Sequence, residues 1–287
     1  MKQFFLIIIG IIFPFSLFAQ TDEKICSPVG YSVFTINGIF TDEDNAKENK
    51  DELKKRLPPS FNHQPLTVDY LHNPSHLGGM GDLLKVAYQK FFEDDVVQDY
   101  DLIEMLKTAS AKVKTQKLLL VAHSQGNFYA NSFYDTVAGK DGGVPAESIG
   151  VYGVATPASR VAGEGNWLTS DTDKIIAGLV GRASFKNIMT PNTSIVLNNS
   201  DDKSGHNFKD IYLKYRGNEI VSNIQSSFEK LKPNDIQNKS PCIDPPRLTL
   251  AHKTIGVVFA AVDPVANSEK DSIIFVATGT YQAGRAL

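Results

Sequence analysis

Residues 117–122 read KLLLVA, the most apolar short run of the folded part of the chain, and helical sequence begins only three residues beyond it. A strand without polar alternation needs cover on both faces, which is the condition of a central strand in a parallel sheet flanked by helices. From residue 31 onward the chain keeps the matching rhythm, β-branched apolar runs alternating with longer helical segments. Strands are expected at 31–37 (YSVFTIN), 66–71, 117–122, 148–155 (SIGVYGVA), briefly at 167–170, and last at 193–197. Helices are expected at 43–57, stopped by Pro58 and Pro59, at 125 to about 137, and at 207 to about 232, stopped by Pro233. Residues 80–113 read as mostly helical, with a break near Asp94 and Asp95. The fold class is therefore α/β, with a mostly parallel central sheet and helices on both of its faces.

The ends of the chain have a different texture. Residues 1–19, MKQFFLIIIGIIFPFSLFA, combine one Lys, an apolar run, Pro14, a polar break at Ser16 and a small residue at Ala19, the layout of a secretory signal peptide. The run is short against the roughly 20 residues of a spanning helix, and Pro14 interrupts it, so a retained anchor is the weaker reading. The α/β unit is expected to occupy 20–243. Residues 244–287 form a β-rich extension, in which 254–262 and 272–280 read as the two strands of a hairpin. Cys26 and Cys242 are the only cysteines, and in an exported chain they permit one disulfide, although sequence alone does not bring them together.

The net charge is −3, and the basic residues are scattered apart from Lys54-Lys55-Arg56, which falls on an expected helix as a solvated face. This balance excludes nucleic acid as an expected partner. His72 and His76 have the spacing of a helical zinc pair, but Pro74 between them argues against a helix, so no metal site is expected.

Chemistry is concentrated where the apolar strand meets the helix, in Ala122-His123-Ser124-Gln125-Gly126. A serine hydroxyl is a poor nucleophile at its own pKa and needs both exposure and a neighbouring base. A sharp strand-to-helix turn supplies the exposure, provided that the residues two before and two after the serine are small, as Ala122 and Gly126 are. The backbone N–H of Gln125, at the head of the helix, is then directed to where an oxyanion would form.

This five-residue turn after KLLLV, followed by Asn127, resembles the nucleophile elbow of lipase-like and esterase-like α/β-hydrolases, in the form with Ala at the first position. The likeness in element order covers roughly residues 31 to 232. It implies an α/β-hydrolase fold and a serine hydrolase that carries an acid after a later strand and a histidine after the last. His206, in the polar stretch Ser204-Gly205-His206-Asn207 ahead of the final helix, stands where the family has its histidine. Two carboxylates compete for the acid, Asp171 and Asp173, and Asp173 fits better because an apolar pair follows Lys174. His123 is expected to point away from Ser124 in a structural role, and Asp201 and Asp202 to be solvated turn residues.

The same resemblance places a second oxyanion donor in Asn37-Gly38-Ile39-Phe40, with the N–H of Ile39 favoured beside that of Gln125. Family members often carry His-Gly where this chain has Asn37-Gly38. No cofactor or metal is implied. The implied substrate is a small-molecule or lipid ester, with transient contact to a membrane or lipid surface left open. Tyr88, Phe91, Phe92 and Tyr100 fit an acyl-chain site and a packed helix equally well. Thioesterase, amidase or peptidase activity on the same triad, and a non-catalytic binding role on the same scaffold, stay open as alternatives.

Overall fold

The computed structural model describes residues 26–38, 41–73, 95–178, 188–233 and 241–246, with backbone alone for 95–100. The expected signal peptide and C-terminal hairpin, together with Ile39, Phe40, His76, Tyr88, Phe91, Phe92 and His252, lie outside these residues. Strand β1 (Ser27–Ile36) leads to helix α1 (Glu43–Arg56), then to the hairpin of β2 (Ser60–Phe61) and β3 (Gln64–Leu71). Helix α2 (Asp95–Lys112), β4 (Thr115–His123), α3 (Gly126–Val137), β5 (Ile149–Val154), β6 (Trp167–Leu168) and the short α4 (Lys174–Ala177) follow. A π-helical turn, Phe208–Leu213, then runs into α5 (Lys214–Lys230).

Among the described residues the sheet order is β2-β3-β1-β4-β5-β6, and every pairing is parallel except that of β2 with β3. The exception has a local cause. Asn62 and His63 both adopt positive φ, 48° and 60°, which is the two-residue turn that matches the twist of a hairpin. The sequence order reverses direction between β1 and β4, because β3 lies on one side of β1 and β4 on the other. Crevices at such switch points, beyond the carboxyl ends of the strands, are where open α/β sheets accommodate ligands.

All nine residues of β4 are buried, as an uninterrupted apolar strand requires. Its side chains alternate between two cores. Leu118, Leu120 and Ala122 join Phe34 and Ile36 of β1 against Met105 and Ala109 of α2 and Tyr129 and Phe133 of α3. Leu119 and Val121 join Tyr31 and Val33 on the opposite face, against Leu53 of α1 and Ile220, Ile224 and Phe228 of α5. Truncation of a leucine in this strand to alanine costs about 2–5 kcal/mol. Helix α1 begins where Asp42 accepts a hydrogen bond from the N–H of Asn45 at 2.8 Å, a cap contributing about 1 kcal/mol. It ends with Lys54, Lys55 and Arg56 in its last turn, where positive charge offsets the helix dipole.

Two expectations need correction. Residues 193–197 do not form a strand; they make one isolated bridge, Thr193 with Ser170, just beyond the end of β6. Hydroxyl groups replace the ladder there: Ile195 N–H donates to Ser170 Oγ at 3.1 Å, and Thr172 Oγ1 donates to the Ile195 carbonyl at 2.7 Å. The final helix also starts differently, since Asn207 O accepts from the N–H groups of both Ile211 and Tyr212, at 3.1 Å each, which widens the first turn into a π-helical one. Cys26 and Cys242 form a disulfide across 216 residues, joining the start of β1 to the segment that follows α5.

Candidate active site

Ser124 follows the last residue of β4 and has φ 56°, a left-handed conformation that costs a non-glycine residue on the order of 1 kcal/mol or more. Its surroundings fix this turn. Ser124 N–H donates to the Val154 carbonyl at 3.0 Å, and the Asn127 side chain donates to the carbonyls of Ser124 and Val154 at 2.8 and 3.1 Å. The small neighbours are a steric requirement. A Cβ on Gly126 would lie 2.5 Å from the Ile36 carbonyl oxygen, and one on Gly38 would lie 2.7 Å from Ser124 Cβ.

His206 reaches Ser124 from the loop ahead of the π-helical turn. Its Nε2 is 2.8 Å from Ser124 Oγ, and its Nδ1 is 2.8 Å from Asp173 Oδ2. A carboxylate only accepts, so Nδ1 donates to Asp173, and in the singly protonated imidazole Nε2 is the atom that accepts from the serine hydroxyl. Asp173 is fully buried, whereas Asp171 is exposed and bonds through its backbone N–H to the Thr193 carbonyl. Asp173 is also the N-cap of α4: its Oδ1 accepts from Ile175 N–H at 3.0 Å and Ile176 N–H at 3.1 Å. The apolar pair that singled out Asp173 in the sequence thus opens the short helix whose N-terminus orients the carboxylate.

His123 Nε2 lies 2.8 Å from the backbone carbonyl of His206, and the two imidazole rings are 4.8 Å apart. The carbonyl accepts, so His123 donates, and its ring is turned to the His206 main chain. Burial, with the adjacent His206 second, holds His123 well below the ordinary histidine range, hence neutral.

Asp202 is an exposed turn residue, as expected, whereas Asp201 is not simply solvated. Asp201 accepts from Asn198 N–H at 2.7 Å, from Lys214 Nζ at 2.6 Å and from the Tyr215 hydroxyl, tying the His206 loop to α5. These hydrogen bonds, the one from Lys214 foremost, lower its carboxyl to about 2. Asp202 accepts from Ser204 N–H at 3.0 Å and from the Ser204 hydroxyl, shaping the turn that leads into His206.

Near the other side of Ser124, buried amides connect three loops. Asn37 Oδ1 accepts from Asn73 N–H at 2.8 Å, and Asn37 Nδ2 donates to the carbonyls of Asn73 and Gly38 at 2.9 and 3.0 Å. Asn73 Nδ2 donates in turn to Gln125 Oε1 at 2.9 Å. The side chain of Gln125, N-cap of α3, is thereby tied to the loops after β1 and β3. The position of Ile39, the other expected donor, is not described.

Sequence reasoning overlooked Asn73 and, more consequentially, Tyr212. The Tyr212 hydroxyl donates to Asp173 Oδ2 at 2.8 Å and accepts from Ser170 N–H at 3.1 Å. Burial, followed by the charge of Asp173, pushes this phenol upward, so it keeps its proton. Chemically, the arrangement offers a hydroxyl within hydrogen-bond distance of an imidazole nitrogen, with a buried carboxylate behind the imidazole. Among the described residues, no cluster of three or more His, Cys, Asp or Glu is placed to hold a metal ion. Comparisons with protein-family models, with curated proteins and with solved structures returned no match.

Proposed function

We propose that this chain is an exported serine hydrolase of the α/β-hydrolase type that cleaves a carboxylic ester, from a small molecule or a lipid, through an acyl-enzyme. The observation that carries the reading is the continuous hydrogen-bonded series Ser124 Oγ, His206, Asp173, with 2.8 Å at each junction. Its setting supports the same reading: a strained serine beyond the carboxyl end of a central parallel strand, beside the point where the strand order reverses.

In this mechanism His206 Nε2 takes the Ser124 proton as Oγ attacks the ester carbonyl. Asp173 stabilises the imidazolium, and the N–H groups of Gln125 and Ile39 receive the oxyanion. Collapse of the tetrahedral intermediate breaks the bond to the alcohol, which leaves with the proton from His206. Water, deprotonated by the same nitrogen, then attacks the acyl-serine, releasing the acid and restoring Ser124. Export is supported by residues 1–19 and by the Cys26–Cys242 disulfide, which suits an oxidising compartment.

The test is hydrolysis of p-nitrophenyl esters of increasing chain length, beside matched thioesters and amides, with Ser124→Ala as control. Labelling of Ser124 by a fluorophosphonate is the companion measurement. Ester turnover and labelling, both lost in Ser124→Ala, are expected. Failure of every substrate together with no labelling overturns the proposal, and turnover confined to thioesters or amides replaces the ester by that bond.

A further inference from the structure

Asp173 is more heavily hydrogen-bonded than the bond to one imidazole requires. Its Oδ1 is occupied by the Ile175 and Ile176 N–H groups, and its Oδ2 is shared by His206 Nδ1 and the Tyr212 hydroxyl. The phenol has a single proton. Because the Tyr212 oxygen already accepts from Ser170 N–H, that proton has one place to go, Asp173 Oδ2. The backbone has been altered at the same point: the bifurcated acceptance by the Asn207 carbonyl widens the helix where Tyr212 enters it. Such π-turns are frequent at functional sites.

We propose that Tyr212 is a positioning residue for the reaction, its hydroxyl aiming Asp173 Oδ2 at His206 and limiting how strongly that carboxylate holds the imidazole proton. The inference rests on the hydrolase reading above. A carboxylate oxygen that accepts two strong donors spreads its charge between them, so each holds it in orientation and each weakens its pull on the other. Among the described residues, the other titratable groups facing Tyr212 are His123, whose ring centroid is 6.1 Å away and which is neutral, and Tyr152, buried and protonated. Neither supplies a charge that substitutes for the hydroxyl.

The experiment compares the full-length protein with Tyr212→Phe and with site-specific fluorotyrosine at 212, which preserves the ring and donates more strongly. In Tyr212→Phe, kcat is expected to fall about tenfold to a hundredfold, the scale of one charge-assisted hydrogen bond, with KM little changed. The acid limb of the kcat/KM profile is expected to move to higher pH, and fluorotyrosine to move it to lower pH. Without substrate, the proton resonance of His206 Nδ1 is expected to shift downfield in Tyr212→Phe and upfield with fluorotyrosine. A merely structural tyrosine would lower the melting temperature and leave both the acid limb and the resonance in place, which overturns the proposal. Should Tyr212→Phe fail to fold, the fluorotyrosine protein decides by the same two readouts. Loss of the hydrolase reading is seen separately, as a wild-type protein that neither turns over nor labels.

Discussion

His123 donates from Nε2 to the main-chain carbonyl of His206 at 2.8 Å, so the residue before Ser124 holds the backbone of the residue that bonds Ser124, 83 positions further on. Folding keeps His123 neutral, whereas the unfolded chain protonates an ordinary histidine near pH 6.5, at about that value. The unfolded state then binds the extra proton, so the stability tied to this group is complete above that pH and declines as the pH falls below it. The slope is expected to be on the order of 1 kcal/mol per pH unit at most. Urea unfolding at several pH values should find this slope reduced in His123→Leu. At pH 8 that variant should also lose about 1–2 kcal/mol, from the unpaired carbonyl. An identical slope in both proteins would contradict the assignment.

Asp171 and Asp173 provide an internal comparison. Asp173→Asn should reduce kcat by about 10⁴, because the amide cannot hold the reactive tautomer of His206. Asp171→Asn, at an exposed position, should leave turnover within about twofold, as surface substitutions generally do. Steady-state kinetics of the two variants decides it, and equal losses would displace Asp173 from its role.

Two glycines are expected to fail in different ways. A Cβ on Gly126 meets main-chain oxygens of Ile36 and Asn37 at 2.5 and 2.7 Å, so Gly126→Ala should destabilise by about 1–3 kcal/mol in thermal or urea unfolding. A Cβ on Gly38 meets Ser124 itself, and Gly38→Ala should slow fluorophosphonate labelling more than it lowers the melting temperature.

The loop carrying His206 depends on Asp201. Its carboxyl titrates at about 2, below the ordinary aspartate, so its contribution is complete above about pH 4 and is lost as the pH falls towards 2. Asp201→Asn should reproduce at neutral pH the loosening that acid produces in the wild type, seen as faster amide exchange across 198–206. Unchanged exchange there would count against the tie to Lys214 and Tyr215.

Much of the fold was legible because its causes are local. KLLLVA cannot be wetted on either face, and Ala122 and Gly126 bracket Ser124 at the crowded ends of strand and helix. Asp173 was readable for a further reason, since a cap and the apolar pair behind it are close in sequence. Residues 193–197 misled because the apolar, largely β-branched run Ile195-Val196-Leu197 looks like a strand, while the N–H and carbonyl of Ile195 bond to the Ser170 and Thr172 hydroxyls. Tyr212 reads as an ordinary helical aromatic: its partner is 39 positions away, and the widened turn that presents it follows from a doubly used carbonyl, which leaves no trace in residue type. Asn37, Asn73 and Gln125 meet only after β1, β3 and β4 have paired.

The Cys26–Cys242 bond makes a covalent ring of everything between its two ends, Ser124, Asp173 and His206 included. A protease that cuts one loop inside the ring opens it without producing two molecules. Until the disulfide is reduced, a singly nicked protein remains one connected chain, and the three residues of the site cannot diffuse apart. In an environment where proteases are met more readily than reductants, that connectivity outlasts the intact backbone.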